Sequence, residues 1–220
     1  TVKLTGLEVV NDSVIQGYRF SKGWGQPGEE YWCNQKVFFR AEFSKPFKSF
    51  GMVENGEIMP NSGQSEGTTT KGYVAFDVEE GEEVLLKVAI SPVDVPGAAN
   101  NMTVEAPTWD FDAIKKAAEE SWLQKLQNFE LKGPKDRKTV FYTAVYHSLI
   151  APTLYSDADG RYRGSDDQVR MEEGFTNYTT FSLWDTFRAT KPLLTFFGVT
   201  DDLVNSMLAQ YQEYGLLPVW

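Results

Sequence analysis

Residues 181–188 read Phe-Ser-Leu-Trp-Asp-Thr-Phe-Arg. They set an indole (Trp184), a carboxylate (Asp185) and a guanidinium (Arg188) within five positions. On a helix, Trp184 and Arg188 are i,i+4 neighbours and Asp185 and Arg188 are i,i+3 neighbours, so all three share one patch. Leu183, Phe187 and Leu194 fall on a different stripe, suited to a core. An aromatic plate beside a hydrogen-bonding ion pair has the chemistry to hold a sugar. The plate covers the apolar C–H face, and the charged groups bind hydroxyls through oriented, charge-assisted bonds. A structural role fits the same residues. Ser182-Leu-Trp-Asp185 matches the capping-box pattern, and a solvated Asp–Arg pair at this spacing is worth under ~1 kcal/mol.

Other residues with chemical potential are less specific. Asp157-Ala-Asp-Gly160 has the look of a calcium loop but lacks the later ligand positions and the distal Glu of an EF-hand. A turn with Gly at positive φ is the better reading. The single histidine, His147, can add at most one ligand to a metal and reads as a packed helix residue. Cys33, the only cysteine, has no activating neighbour and permits no intrachain disulfide. Asn11-Asp-Ser, Asn101-Met-Thr and Asn177-Tyr-Thr match the glycosylation pattern and carry little weight by themselves.

The elements that must position these residues change character along the chain. Segments 2–10, 14–20, 31–43, 47–53, 73–78 and 84–90 are rich in β-branched and aromatic residues, with turn signals such as Asn55-Gly56 and Glu80-Gly81 between them. They predict an antiparallel β-sandwich, with 84–90 as a well-buried strand and the Gly/Ser/Thr-rich stretch 60–71 as an exposed loop. After Pro107 the apolar spacing becomes helical. Phe111, Ile114, Ala118, Trp122 and Leu126 mark one helix, and Val140, Phe141, Ala144, Val145 and Leu149 a second. Residues 153–178 read as irregular with a hairpin near 157–160. A helix from about 182 bends or breaks at Pro192, and another runs over 201–214 to Gly215. Strands followed by helices, without βαβ alternation, predict two segregated parts.

Composition narrows the partners. A formal net charge of −10 disfavours nucleic acid, which needs clustered Lys and Arg. No apolar run reaches the length of a membrane span, and no signal peptide is present. Aromatics make up 14% of the chain, compatible with a carbohydrate site or an aromatic core. The chain opens on strand-like Thr1-Val-Lys-Leu and closes on apolar Leu216-Leu-Pro-Val-Trp220, so the expectation is an interior piece of a longer protein.

Five blocks in order carry a resemblance: Gly17-Tyr-Arg-Phe-Ser-Lys-Gly-Trp24, Phe43-Ser-Lys-Pro-Phe47, Phe141-Tyr-Thr-Ala-Val-Tyr-His147, Asp159-Gly-Arg-Tyr-Arg-Gly164 and the 181–188 block. Together they resemble the exo-acting α-mannosidases of glycoside hydrolase family 92. The resemblance implies a β-sandwich joined by helices to an (α/α)6 barrel. It implies calcium-dependent, inverting hydrolysis of terminal α-mannose in mannose-containing glycans. The division expected from it is a sandwich portion at 1–106, a linker helix at 107–133 and the start of the catalytic domain at 134–220.

It also assigns Trp184, Asp185 and Arg188 to recognition of the sugar. Trp24, flanked by Gly23 and Gly25, is either a second aromatic wall or a core residue. The general acid and base are expected beyond Trp220, so no catalytic residue is assigned in this chain and the piece alone is expected to be inactive. Calcium ligands are not identifiable from sequence. The parent is expected to be secreted, periplasmic or on the cell surface, with the missing parts of its own chain as partners. The alternatives are a non-catalytic carbohydrate-binding or scaffold module, or another (α/α)6 glycosidase.

Overall fold

The computed structural model describes residues 1–22, 34–54 and 56–218. Trp24 and Cys33 lie outside them. The chain divides into two compact units. One holds Thr1–Trp109 with Asp157–Arg161, the other Asp110–Ser156 with Tyr162–Trp220.

The first unit is built from β1 (Val2–Asn11), β2 (Val14–Lys22), β3 (Asn34–Phe43), β4 (Ser49–Glu54), β5 (Glu57–Pro60), β6 (Gln64–Gly67), β7 (Lys71–Ala75), β8 (Leu86–Ser91) and helix α1 (Val95–Glu105). A five-stranded antiparallel sheet has the order β6-β1-β2-β3-β8, and a three-stranded sheet the order β5-β4-β7. Val14, Ala41, Phe47 and Met52 are buried. Phe47 meets Phe43, Phe50 and Phe76 with ring centroids 5.8–6.3 Å apart.

Three expectations are corrected in this unit. Within the 60–71 stretch, β6 pairs with β1 from Thr5↔Gly67 to Glu8↔Gln64. An edge strand bonds through its backbone and needs no apolar face, so its polar sequence hid it. The 84–90 run forms edge strand β8, with Leu86, Val88 and Ile90 more than half exposed. A continuous apolar run does not reveal how many faces are covered. Helix α1 was not foreseen, although Asp94 caps it by accepting from the Gly97 amide at 2.6 Å and Pro96 stands at its second position.

Helix α1 packs on β8 and β3. Only a glycine at 97 allows this approach, since a Cβ there would lie 2.2 Å from Asp157 Oδ2 and 2.7 Å from Ser91 Oγ. Asp157, Ser91 and Asn101 are buried together. Ser91 Oγ and Asn101 Nδ2 donate to the two oxygens of Asp157 at 2.7 and 2.8 Å, and the Ala158 amide donates to Asn101 Oδ1 at 2.7 Å. The 157–160 segment is a turn: the Gly160 amide bonds the Asp157 carbonyl at 2.8 Å, and Gly160 has φ +83°.

The second unit contains α2 (Phe111–Leu126), α3 (Lys135–Ser148), β9 (Thr153–Leu154), β10 (Arg161–Arg163, beginning at the boundary with the first unit), β11 (Val169–Met171), β12 (Tyr178–Thr179), α4 (Leu183–Thr186), α5 (Thr190–Leu194), a 3-10 turn (Thr195–Phe197) and α6 (Thr200–Tyr214). The stretch expected to be irregular thus holds four short strands, paired β10 with β11 and β9 with β12. Helix α2 is capped by Asp110, which accepts from the Ala113 amide at 2.9 Å, but it buries no residue; Phe111 and Trp122 of its apolar stripe are exposed. Val145, Phe181, Leu194, Phe197 and Leu203 form the core, joined by Phe129, Phe141, Leu149 and Tyr178 at its edge. His147 is exposed and tilted against Tyr146, not packed. Helix α6 ends where expected, with Gly215 left-handed at φ +81° and its amide on the Tyr211 carbonyl at 2.7 Å.

Candidate functional site

The site segment enters through β12. Tyr178 pairs with Leu154 and Thr179 with Thr153. Helix α6 holds this strand from beneath. Ser206, fully buried, accepts the Tyr178 amide at 2.9 Å and donates to the Asp202 carbonyl at 2.7 Å, while Asp202 Oδ1 accepts the Thr176 amide at 3.0 Å.

The backbone then makes an uncommon turn. Thr180 and Ser182 both have positive φ, 64° and 43°, and Phe181 between them is fully buried. A left-handed non-glycine residue costs on the order of 1–3 kcal/mol and persists where its surroundings over-determine it. Here Phe181 is anchored in the core, and Thr186 Oγ1 donates to the carbonyls of Phe181 (3.0 Å) and Ser182 (2.9 Å).

Helix α4 is a single turn. Its bonding ends with the Phe187 amide on the Leu183 carbonyl at 3.1 Å, and residues 187–189 form a turn before α5. The expected longer helix is therefore broken ahead of Pro192. Pro192 sits third in α5, where the amide it lacks has no helical partner to lose. This break redistributes the side chains. Leu183 and Leu194 pack into the core as expected, but Phe187 is 55% exposed, with the Arg188 guanidinium 5.2 Å from its ring centroid.

Trp184 is 62% exposed, and Asp185 and Arg188 are exposed on the same short arc. The expected Asp185–Arg188 ion pair is not formed. Asp185 Oδ2 instead accepts Ser182 Oγ at 2.6 Å. The capping-box expectation is corrected too, because no side chain bonds the helix's first amides. The arc thus presents two aromatic rings, a carboxylate with Oδ1 unbonded by the described residues, and a guanidinium. That set can cover a sugar face and bind its hydroxyls. A separate apolar cavity of about 230 Å³ in this unit is lined by Trp122, Leu149, Pro152, Tyr178, Leu194 and Phe197 among others, and by none of the arc's three candidates.

A second polar cluster, unforeseen from sequence, lies where β10 and β11 meet α6. Glu213, 4% exposed at its side chain, accepts Tyr162 Oη at 3.1 Å and the Ser165 amide at 2.8 Å, with Arg170 Nε 3.9 Å away. Arg170 is bound in two-pronged fashion by Asp166 at 2.6 and 2.7 Å. That pairing lowers the Asp166 carboxyl to about 2. Burial, then the Glu213 charge, pushes the Tyr162 phenol up to about 12.

Among the described residues no three His, Cys, Asp or Glu side chains are grouped to hold a metal. Both Asp157 oxygens accept protein hydrogen bonds, and Asp166 is held by Arg170. Neither aspartate therefore has a carboxylate oxygen free of protein bonds. Two glycosylation triplets are closed as well. Asn101 and Asn177 are buried, their amides given to Asp157 and to the Tyr155 carbonyl.

Comparison with known proteins supplies the lineage. Residues 1–91 match the model of the glycosyl hydrolase family 92 N-terminal domain, and residues 97–220 that of the family 92 catalytic domain. The chain belongs to glycosyl hydrolase family 92. The solved family 92 α-mannosidase BT3965 of Bacteroides thetaiotaomicron is 35% identical over the whole chain, with a TM-score of 0.91, as is its complex with mannoimidazole. The inverting mannosidase BT2199 of the same organism is 26% identical over 99% of the chain, with a TM-score of 0.86. The chain spans about 30% of the length of these structures. No curated protein sequence matches. The order of antiparallel sheets followed by helices is that of the family 92 structures. No helix among the described residues is long and apolar enough to cross a membrane.

Proposed function

We propose that the chain is part of an enzyme that removes terminal α-mannose from mannose-containing glycans by hydrolysis with inversion. The observation that carries this is the match of the whole chain, at 35% identity, to about 30% of a family 92 α-mannosidase also solved with mannoimidazole. The inverting course is supported by the more distant relative BT2199. In this reading the arc of Trp184, Asp185 and Arg188 holds the sugar. Trp184 covers the C–H face, Asp185 Oδ1 accepts a hydroxyl, and Arg188 donates to ring substituents. Trp24, outside the described residues, is proposed as a further aromatic contact to the sugar.

Inversion requires an acid and a base about 6.5–9.5 Å apart, flanking the bond with room for water. We assign neither to this chain and expect both beyond Trp220. The calcium requirement is proposed to rest on residues outside those described. The parent is proposed to act outside the cytoplasm, with the rest of its catalytic domain packed against these helices.

The test is the full-length enzyme on an α-mannoside, with the product anomer read by NMR. Expected are release of β-mannose, loss of turnover on chelation with recovery in calcium, and a drop in kcat/KM of about 100-fold or more for Asp185→Ala at a nearly unchanged Tm. The 220 residues alone should show no turnover. An inert full-length enzyme overturns the reading. A variant whose activity falls only as its folded fraction falls would leave Asp185 a structural residue.

A further inference from the structure

Lys191 Nζ is buried and meets no hydrogen-bond acceptor among the described residues. It lies over the face of Phe181, 4.6 Å from the ring centroid. A buried, unbonded ammonium is unfavourable by several kcal/mol. Methionine or leucine would fill the same place without that penalty, so the charge calls for a reason.

Its position supplies one. Phe181 and Lys191 are the two ends of the arc that carries Trp184, Asp185 and Arg188. Phe181 is locked in the core, while residues 187–189 are a turn with no regular bonding of their own. We propose that Lys191 is a positioning residue, whose ammonium, seated on the Phe181 ring, clasps the base of this arc and sets the direction in which Trp184, Asp185 and Arg188 face a sugar. The inference rests on the arc being the mannose-recognition site.

The clasp depends on charge, because the ring attracts the cation and not the amine. Burial alone pulls the Lys191 pKa down from 10.5 to about 8, with no charged neighbour contributing. Asp185 and Arg188, on the same arc, are exposed and make no bond to it. With the folded value below the unfolded one, the native state disfavours the proton. The destabilisation is complete below pH 8 and is relieved as pH rises from about 8 toward 10.5. The clasp weakens over the same rise. Stability and sugar binding should therefore move in opposite directions above pH 8.

The experiment uses the full-length enzyme with Lys191→Met and Lys191→Arg, measuring KM and kcat for an α-mannoside from pH 6 to 9.5, Tm, and hydrogen exchange of peptides covering 182–190. A cation–π contact of ~1–2 kcal/mol predicts a rise in KM of about 5- to 30-fold for Lys191→Met at pH 7, with kcat changed little and Tm equal or higher. The rise in KM expected above pH 8 for the native enzyme should be absent from Lys191→Met, the 182–190 peptides should exchange faster, and Lys191→Arg should recover part of the binding. Native KM, native pH profile and native exchange in Lys191→Met overturn the clasp. If the enzyme is inert on α-mannosides, exchange alone decides. Looser 182–190 peptides then keep the clasp while the mannosidase reading falls.

Discussion

Asp157 should be a position where even the amide isostere fails. Its two buried neighbours arrive as obligatory donors. Ser91 Oγ already accepts the amides of Val93 (2.9 Å) and Asp94 (3.2 Å), so its hydrogen has to point at Asp157. Asn101 Oδ1 already accepts the Ala158 amide, so its NH2 has to face Asp157 and the Ile90 carbonyl. Only a carboxylate accepts from both. Asp157→Ala strands two buried donors at about 1–3 kcal/mol each, and the charge-assisted character of the bonds places the sum at roughly 3–5 kcal/mol. Asp157→Asn keeps one acceptor and turns its NH2 toward an occupied oxygen, so it should cost at least ~2 kcal/mol.

Native-state hydrogen exchange of peptides from α1 and β8 reads this locally, without assuming two-state unfolding of the whole protein. The expected acceleration is roughly two to four decades for Asp157→Ala. Burial pushes the Asp157 pKa up from 3.8. The native state therefore holds this proton more tightly than the unfolded chain does. That contribution to stability is complete below 3.8 and lost as pH rises through the folded value. Asp157→Asn should remove this one component of the acid response. A neutral Asp157→Asn, within ~0.5 kcal/mol of the native protein, would refute the donor argument.

Two further outcomes follow from local geometry. Thr180→Gly relieves a β-branched residue at φ +64° and should stabilise by about 1 kcal/mol after the greater unfolded-state freedom of glycine is subtracted; a loss of more than ~1 kcal/mol in denaturant unfolding would show that no strain is stored there. Glu213→Ala strands the Tyr162 hydroxyl, leaves the exposed Ser165 amide to water, and should lower Tm by roughly 3–6 °C for about 1.5 kcal/mol; ultraviolet titration should show the Tyr162 phenol ionising below its native value of about 12, and an unmoved phenol would contradict the electrostatic coupling.

What the sequence made legible was local. Helix α6 was readable to its last residue because Gly215 is a one-residue stop with a backbone reason. Strands β1 to β4 and β7 were readable because each lies in a short run of β-branched and aromatic residues bounded by turn signals. Helix α1 carried a signal at Asp94 and Pro96 that the surrounding strand pattern masked. The edge strand β6 carried none, since its polar side chains do not record the pairing of its backbone. The Glu213 cluster joins residues 51 positions apart, a distance over which no local pattern connects them.

The arc at 181–188 shows why type and spacing could single out residues without giving their geometry. Helical spacing placed Asp185 beside Arg188 as an ion pair and turned Phe187 inward. The two left-handed residues around Phe181, neither of them glycine or asparagine, have no sequence signature and were invisible. They separate β12 from α4 on either side of one buried ring, and the turn at 187–189 then confines the helix to a single turn. The consequence favours binding. An Asp185–Arg188 pair would have neutralised both groups, whereas the bond from Ser182 occupies Oδ2 alone and fixes the carboxylate with Oδ1 outward. The Ser182 bond is thus compatible with the recognition role proposed for Asp185. On the proposed recognition role, the backbone at Thr180 and Ser182 would hold Trp184, Asp185 and Arg188 exposed before any sugar arrives, which would lower the ordering cost of binding.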